Sequence, residues 1–212
     1  MGLSSISFLN AAEVKVSVPP MLLKDTAQEI SEKQFRARKG RVYNLKTRKV
    51  AVAELLPFLK KETVFNLCRQ CPNFDQLWSC PPIVPDFEKF SAGYKNADMF
   101  LFWAATGQFA EEESPAIACY EFLKKKNRKY MLKLEKEKNG QAVFSFSCDL
   151  CSQCGKKEGK PCKKPQEIRF NLTAFGFNID DLTKVLMNHP ISWSTDRNEA
   201  QYITQLSILL SE

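Results

Sequence analysis

Apolar positions along this chain recur with periods that mark its elements. Between Met21 and Gln34, Leu23, Ala27, Ile30 and Gln34 fall on one face with Leu22 beside them, which predicts a helix. Val50 to Lys60 (VAVAELLPFLK) fits a strand or a short helix interrupted by Pro57. The continuous run Met99 to Ala105 (MFLFWAA) has strand length and predicts a central strand covered on both faces. Ser114-Pro115 offers an N-cap oxygen followed by proline at the first helical position. It predicts a helix to about Lys136, with Ala116, Tyr120, Leu123, Tyr130 and Leu134 on one side. Val143 to Ser147 alternates like a strand, and Ile179 to Met187 predicts a short helix that stops before Pro190. Tyr202, Thr204, Leu206, Ile208 and Leu210 alternate with mostly polar neighbours, which predicts a half-buried closing strand. Together these predict an α/β or α+β fold: a single domain with a mixed sheet, flanking helices and two Cys-rich loops between elements. No repeat of fixed period, no Walker A pattern and no G-x-G-x-x-G occurs.

Composition narrows the chemistry. The chain has 212 residues, 44% apolar and 26% charged, enough to bury a sizeable core. No apolar run approaches the roughly 20 residues that span a bilayer, so no membrane span is expected. Met1 to Pro20 lacks a basic n-region, and Ile6 stands where a myristoylation pattern needs Ser or Thr. The same stretch lacks Arg and contains Glu13, against a transit peptide, so a cytoplasmic location is expected. The net charge of +7 permits an acidic partner without demanding nucleic acid. Eight basic residues and no acidic one lie between Lys33 and Lys49, with Gly40 in the middle. A solvated hairpin or loop is the first reading, and a docking surface for an acidic partner, an RNA backbone or a phosphate is the second. Only Phe35 and Tyr43 are interleaved there, so nucleic acid is the less favoured partner. The expected division is a helix and basic arm over residues 1–49, then a Cys-rich domain over 50–212.

Eight Cys against one His disfavours His-rich zinc sites and any Ser-His or Cys-His mechanism that cannot use His189. Seven of the eight fall in two groups. The second reads Cys148-x2-Cys151-x2-Cys154-x7-Cys162. A third Cys so close behind the second crowds a mononuclear tetrahedral zinc. A cubane accommodates it, because its irons occupy separate corners. Gly155 and Gly159 let the loop bend close to a cluster. A [4Fe-4S] cluster is therefore preferred here, with zinc as the alternative. The first group reads Cys68-x2-Cys71-x8-Cys80, followed by Pro81 and Pro82, with Phe74 and Trp78 placed to shield a metal from water. Its fourth ligand is open: Cys119, a Cys of the second group, Asp75 or an external molecule. Cys119, in AIACYEFL, reads first as a small buried hydrophobe. His189, before Pro190 at a helix end, reads as a cap or surface residue.

Lys156, Lys157, Lys160, Lys163 and Lys164 surround the second group. Ammonium groups beside an anionic cluster favour its reduced form, and they would steer an acidic redox partner such as a ferredoxin or flavodoxin. Ordinary loop solubility is the competing explanation.

At these two groups the sequence resembles a Cys-rich family of predicted metal-binding proteins (domain of unknown function 2284). The matching pieces are Cys68, Cys71, Trp78, Ser79, Cys80, Pro81 and Pro82, then Cys148, Cys151, Cys154, Pro161, Cys162 and Pro165. Phe170 to Ile179 (FNLTAFGFNI) resembles the family's small-residue motif, with Gly176 as its glycine. The resemblance runs from about residue 55 to 210. Lys163 departs from it, standing where Arg is more usual, and the basic segment before residue 50 lies outside it. The resemblance implies metal or iron–sulfur binding in an anaerobic context and no established reaction.

The leading expectation is thus an iron–sulfur protein with one or two [4Fe-4S] clusters, acting in electron transfer or as a redox accessory. The alternatives are a structural zinc module presenting a basic surface to nucleic acid, and an enzyme with an open iron at the three-Cys group.

Overall fold

A computed structural model describes residues 29–195 and 199–212. Its centre is a five-stranded sheet of order β1-β2-β3-β5-β4. The strands are β1 (Ser31–Arg36), β2 (Val42–Ala51), β3 (Asn96–Ala105), β4 (Gln141–Val143) and β5 (Tyr202–Ser211). The helices are α1 (Lys61–Cys68), α2 (Phe87–Phe90), α3 (Pro115–Lys138) and α4 (Ile179–Met187). The architecture is α+β. All four ladders are antiparallel, where a mixed sheet was expected, and among the described residues the one parallel pairing is the isolated bridge Phe144–Asn171.

β3 is central, as its apolar run predicts. Ala97, Met99 and Leu101 face one core, while Phe100, Phe102 and Ala104 face the other. The first core lies under α4, α2 and the 3-10 turns that follow β2. The second lies under α3. β5 differs from expectation because both of its faces are covered. Its polar positions Gln205 and Ser207 are buried against α3, where Ser207 Oγ donates to Asn127 Oδ1 at 3.0 Å and Gln205 Nε2 donates to the Tyr120 carbonyl at 3.0 Å. Alternation of polarity here records paired polar atoms inside the protein, not solvent.

α3 begins at Pro115 as predicted, although the Ser114 hydroxyl makes no cap bond and only its carbonyl accepts, from Ala118 N–H at 2.9 Å. Its buried stripe is Cys119, Leu123, Asn127, Met131 and Glu135, an i,i+4 row. α4 has the predicted bounds, with the Asn178 side chain accepting from Asp181 N–H. Pro57 sits inside the 3-10 segment Val52–Phe58, in place of a regular strand or helix. The strand expected at Val143 to Ser147 ends at Val143, because the chain then leaves the sheet.

The helix expected from Met21 to Gln34 lies mostly outside the described residues. Its last part, Ser31 to Gln34, is strand: it pairs with Thr47 to Asn44 of β2, and Phe35 stacks on Tyr43 at 5.2 Å. Cross-strand pairing outweighs the weak helical period. The basic stretch Lys33 to Lys49 is accordingly a hairpin. Several of its cations are engaged internally. Arg41 pairs with Glu111 and Glu112 at 2.9 and 2.8 Å, and Arg48 donates to the Leu186 carbonyl at 2.7 Å.

Candidate metal centre

Two excursions from this scaffold carry the seven clustered cysteines. The first follows α1, whose last residue is Cys68. α1 is docked at its other end by Gly176, whose carbonyl accepts from Lys60 N–H at 2.8 Å, and by Lys61, which pairs with Asp86. Successive tight turns then carry the chain through Cys71 to Cys80: Cys71 N–H donates to Cys68 O, Phe74 N–H to Cys71 O, and Cys80 N–H to Leu77 O, each at 3.0 Å. Cys71 is exposed, whereas Ser79 and Cys80 are buried.

The second excursion leaves β4 and returns at Phe170. Its base is closed by the Phe144–Asn171 bridge, with Phe144 N–H donating to Phe170 O at 2.9 Å and Leu172 N–H to Phe144 O at 3.0 Å. Within it, Lys160 N–H donates to Gly155 O at 2.9 Å. A side chain at Gly155 would place its Cβ 2.9 Å from the Pro161 carbonyl, so the expected tight bend at this glycine is present. Gly159 adopts φ +67°, also as a turn glycine.

Cys148, Cys151, Cys154 and Cys162 line one cavity of about 340 Å³, together with Trp78, Leu77, Tyr120 and Lys124. The first group is separate from that cavity but adjacent to it. Burial pushes the Cys68 thiol up, helped by Cys71 and Cys80. Burial also pushes Cys80 up, with Cys71 and Cys154 adding to the effect. Cys148 is raised by burial, with Asp149, Cys162 and Cys154 contributing. None of the eight cysteines is in a disulfide. Among the described residues no three His, Cys, Asp or Glu side chains already form a group ready to hold a metal ion. The donor set nonetheless fits a thiolate-bound metal, because four unpaired sulfurs share one cavity on a loop shaped by glycine.

Residues that spacing alone does not identify hold the loops in place. Asp149 pairs with Lys124 at 2.7 Å and with Arg128, both from α3. Burial would raise the Asp149 carboxyl, but hydrogen bonds from those two cations outweigh it and hold it below the usual range. Lys156 pairs with Asp75 at 2.9 Å and lies over the Trp78 ring, while Trp78 Nε1 donates to the Lys160 carbonyl at 3.2 Å. The signal available for these contacts was indirect: a Trp, an Asp and lysines close to the Cys.

Cys119 is fully buried in the second core, donating to the Ala104 carbonyl at 3.5 Å, and burial pushes its thiol up to about 11. That matches a small core hydrophobe. His189 is buried, not a surface residue. Its Nε2 bonds Thr204 Oγ1 at 3.1 Å, and its ring packs between Trp103 and Tyr202. Its backbone N–H does cap α4, donating to Thr183 O. No described helix is long and apolar enough to cross a membrane.

Neither curated proteins nor solved structures gave a match to this chain. A family model described as a predicted metal-binding protein (DUF2284) matches residues 57–211, which takes in both cysteine groups and strands β3, β4 and β5. The chain, with its two thiol loops mounted on an antiparallel sheet, therefore belongs to the DUF2284 family of predicted metal-binding proteins.

Proposed function

We propose that the metal is an iron–sulfur cluster of the [4Fe-4S] type, held by Cys148, Cys151, Cys154 and Cys162, and that the protein acts in electron transfer or as a redox accessory to an enzyme. One observation carries the reading: these four thiols, spaced C-x2-C-x2-C-x7-C, line a single cavity. Cys68, Cys71 and Cys80 contribute to a second centre beside it. A bound cluster supplies one-electron chemistry.

The chain's own residues set the conditions for that chemistry. Leu77, Trp78, Leu150 and Ile168 supply the apolar part of the cavity lining. Lys124, Lys157, Lys163 and Lys164 line it too; Lys124 and Lys164 are paired with Asp149 and Glu167, and the charge of Lys157 and Lys163 favours the more negative, reduced state of whatever the thiolates hold. The same cations suit an acidic redox partner in a reducing compartment. A nucleic-acid surface on the β1–β2 hairpin is less favoured, because Arg41, Lys46 and Arg48 are turned to internal partners.

Anaerobic purification followed by iron, sulfide and zinc analysis tests the reading. The expected result is a brown protein with iron and sulfide in equal amounts, lost from the second group on Cys154→Ser and retained on Cys119→Ser. A colourless protein holding stoichiometric zinc would overturn it.

A further inference from the structure

The two cysteine groups meet through a reciprocal clasp. Each contains a Ser-Cys pair, Ser79-Cys80 in the first and Ser147-Cys148 in the second. Ser79 Oγ accepts from the Cys148 backbone N–H at 3.0 Å, and Ser147 Oγ is 3.6 Å from Cys80 Sγ. Each serine thus holds the cysteine that follows the other. Ser79 is fully buried, so its hydroxyl has no solvent to substitute for the contact. Ser147 is anchored from below by Asn171 Nδ2 at 3.3 Å, and Asn171 belongs to the bridge that closes the second loop. A second latch runs the same way: Trp78 Nε1 donates to Lys160 O, and Lys156 pairs with Asp75.

From this geometry we infer that the two thiol groups form one cooperative metal-binding unit, with Ser79 and Ser147 as the positioning residues that couple them. Metal in the first group orders the turns from Cys68 to Cys80. That fixes Ser79, which in turn fixes the backbone of Cys148 at the cavity. By linkage the effect is mutual, so loading the second group favours loading of the first by the same factor. The inference rests on the thiols being metal ligands, but not on the metal being iron.

The test is anaerobic titration of the metal-free, reduced full chain with cobalt(II), read by its thiolate charge-transfer absorbance. Cys71→Ser disables the first group at an exposed position that takes no part in the hydrogen bonds of Ser79 and Ser147. It is expected to weaken cobalt binding at the second group by about fivefold or more. In Ser79→Ala, and separately in the less buried Ser147→Ala, adding Cys71→Ser should change that affinity less than twofold, with far-UV circular dichroism showing the fold retained. Failure of either group to take cobalt would overturn the inference. So would an unchanged second-group affinity in Cys71→Ser, or a coupling that survives both serine substitutions. Independent loading of the two groups in a protein that purifies with iron and sulfide would sink the clasp and leave the iron–sulfur reading standing. Cooperative cobalt loading in a protein that purifies with zinc would do the reverse.

Discussion

Arg169 ties the returning end of the second cysteine loop to α3, and its removal has a calculable cost. Arg169 Nε and Nη2 donate to the two oxygens of Glu135 at 2.7 and 2.9 Å, a bidentate pair. The Glu135 side chain is 10% exposed and that of Arg169 21%. Arg169→Ala leaves the carboxylate with the Ala142 N–H at 2.8 Å and a long contact to Gln141 at 3.4 Å. Deleting one partner of a buried pair costs about 3–5 kcal/mol, because the other charge is stranded. Partial exposure of the arginine lets water take over some of its role, which lowers the expected loss to about 2–3 kcal/mol. In a domain of this size each kcal/mol moves Tm by about 2–4 °C, so a fall of about 4–12 °C is expected. Arg169→Lys keeps the charge and loses the fork, and should recover about half of the loss. Urea unfolding of the metal-free, reduced protein measures the free energies, and a thermal melt of the same sample measures the Tm. Lys133→Ala serves as control, because its 3.5 Å pair with Glu137 is exposed on both sides and its loss should cost less than about 0.5 kcal/mol. A loss at Arg169→Ala no larger than the control's would refute the burial argument.

Three further outcomes follow from particular residues. Gly176 has φ +95°, and a Cβ there would lie 2.9 Å from Lys61 Cα, so Gly176→Ala should cost about 1–3 kcal/mol in the same urea assay. A neutral effect would mean that α1 shifts freely. Alkylation of the reduced, metal-free protein, followed by mass spectrometry, should modify Cys119 last, because its thiol is buried and raised to about 11. A Cys119 adduct among the first would contradict its core placement. Burial holds His189 down to about 4 against an ordinary 6.5, with Lys46 adding to the effect. The unfolded chain therefore takes up that proton first, and stability declines as pH falls from 6.5 towards 4. His189→Gln should flatten the urea midpoint across that window, and an unchanged slope would remove His189 as the cause.

How much of this was legible beforehand depended on the range of the interaction concerned. Local periodicity located β3 and α4 because each buries a face set by its own residues, whereas α3 was located by its Ser-Pro start and buries a row, with Asn127 and Glu135 in it, of which the expected apolar side shares only Leu123. It failed at Ser31 to Gln34, where a strand partner sixteen or fewer residues away decides the conformation. It also misjudged β5, whose Gln205 and Ser207 look solvent-facing until Asn127 of α3 is set against them. The cysteine pattern was equally local: seven thiols at short spacings, with an eighth on an apolar helix. What spacing could not supply was the relation between the groups. Ser79 and Cys148 are 69 residues apart, and Arg169 reaches back 34 residues to Glu135.

The sequence by itself thus determined β3, α3 and α4 and the two groups of closely spaced thiols, because helix and strand periods and Cys-x2-Cys intervals are short-range properties of the chain. Only the tertiary structure decided that the two loops face one another, that four thiols share a cavity, and that His189 lies in packed surroundings. Those outcomes depend on the strand order β3-β5-β4 and on which face of the sheet α3 covers, and both are settled by burial summed over the whole domain.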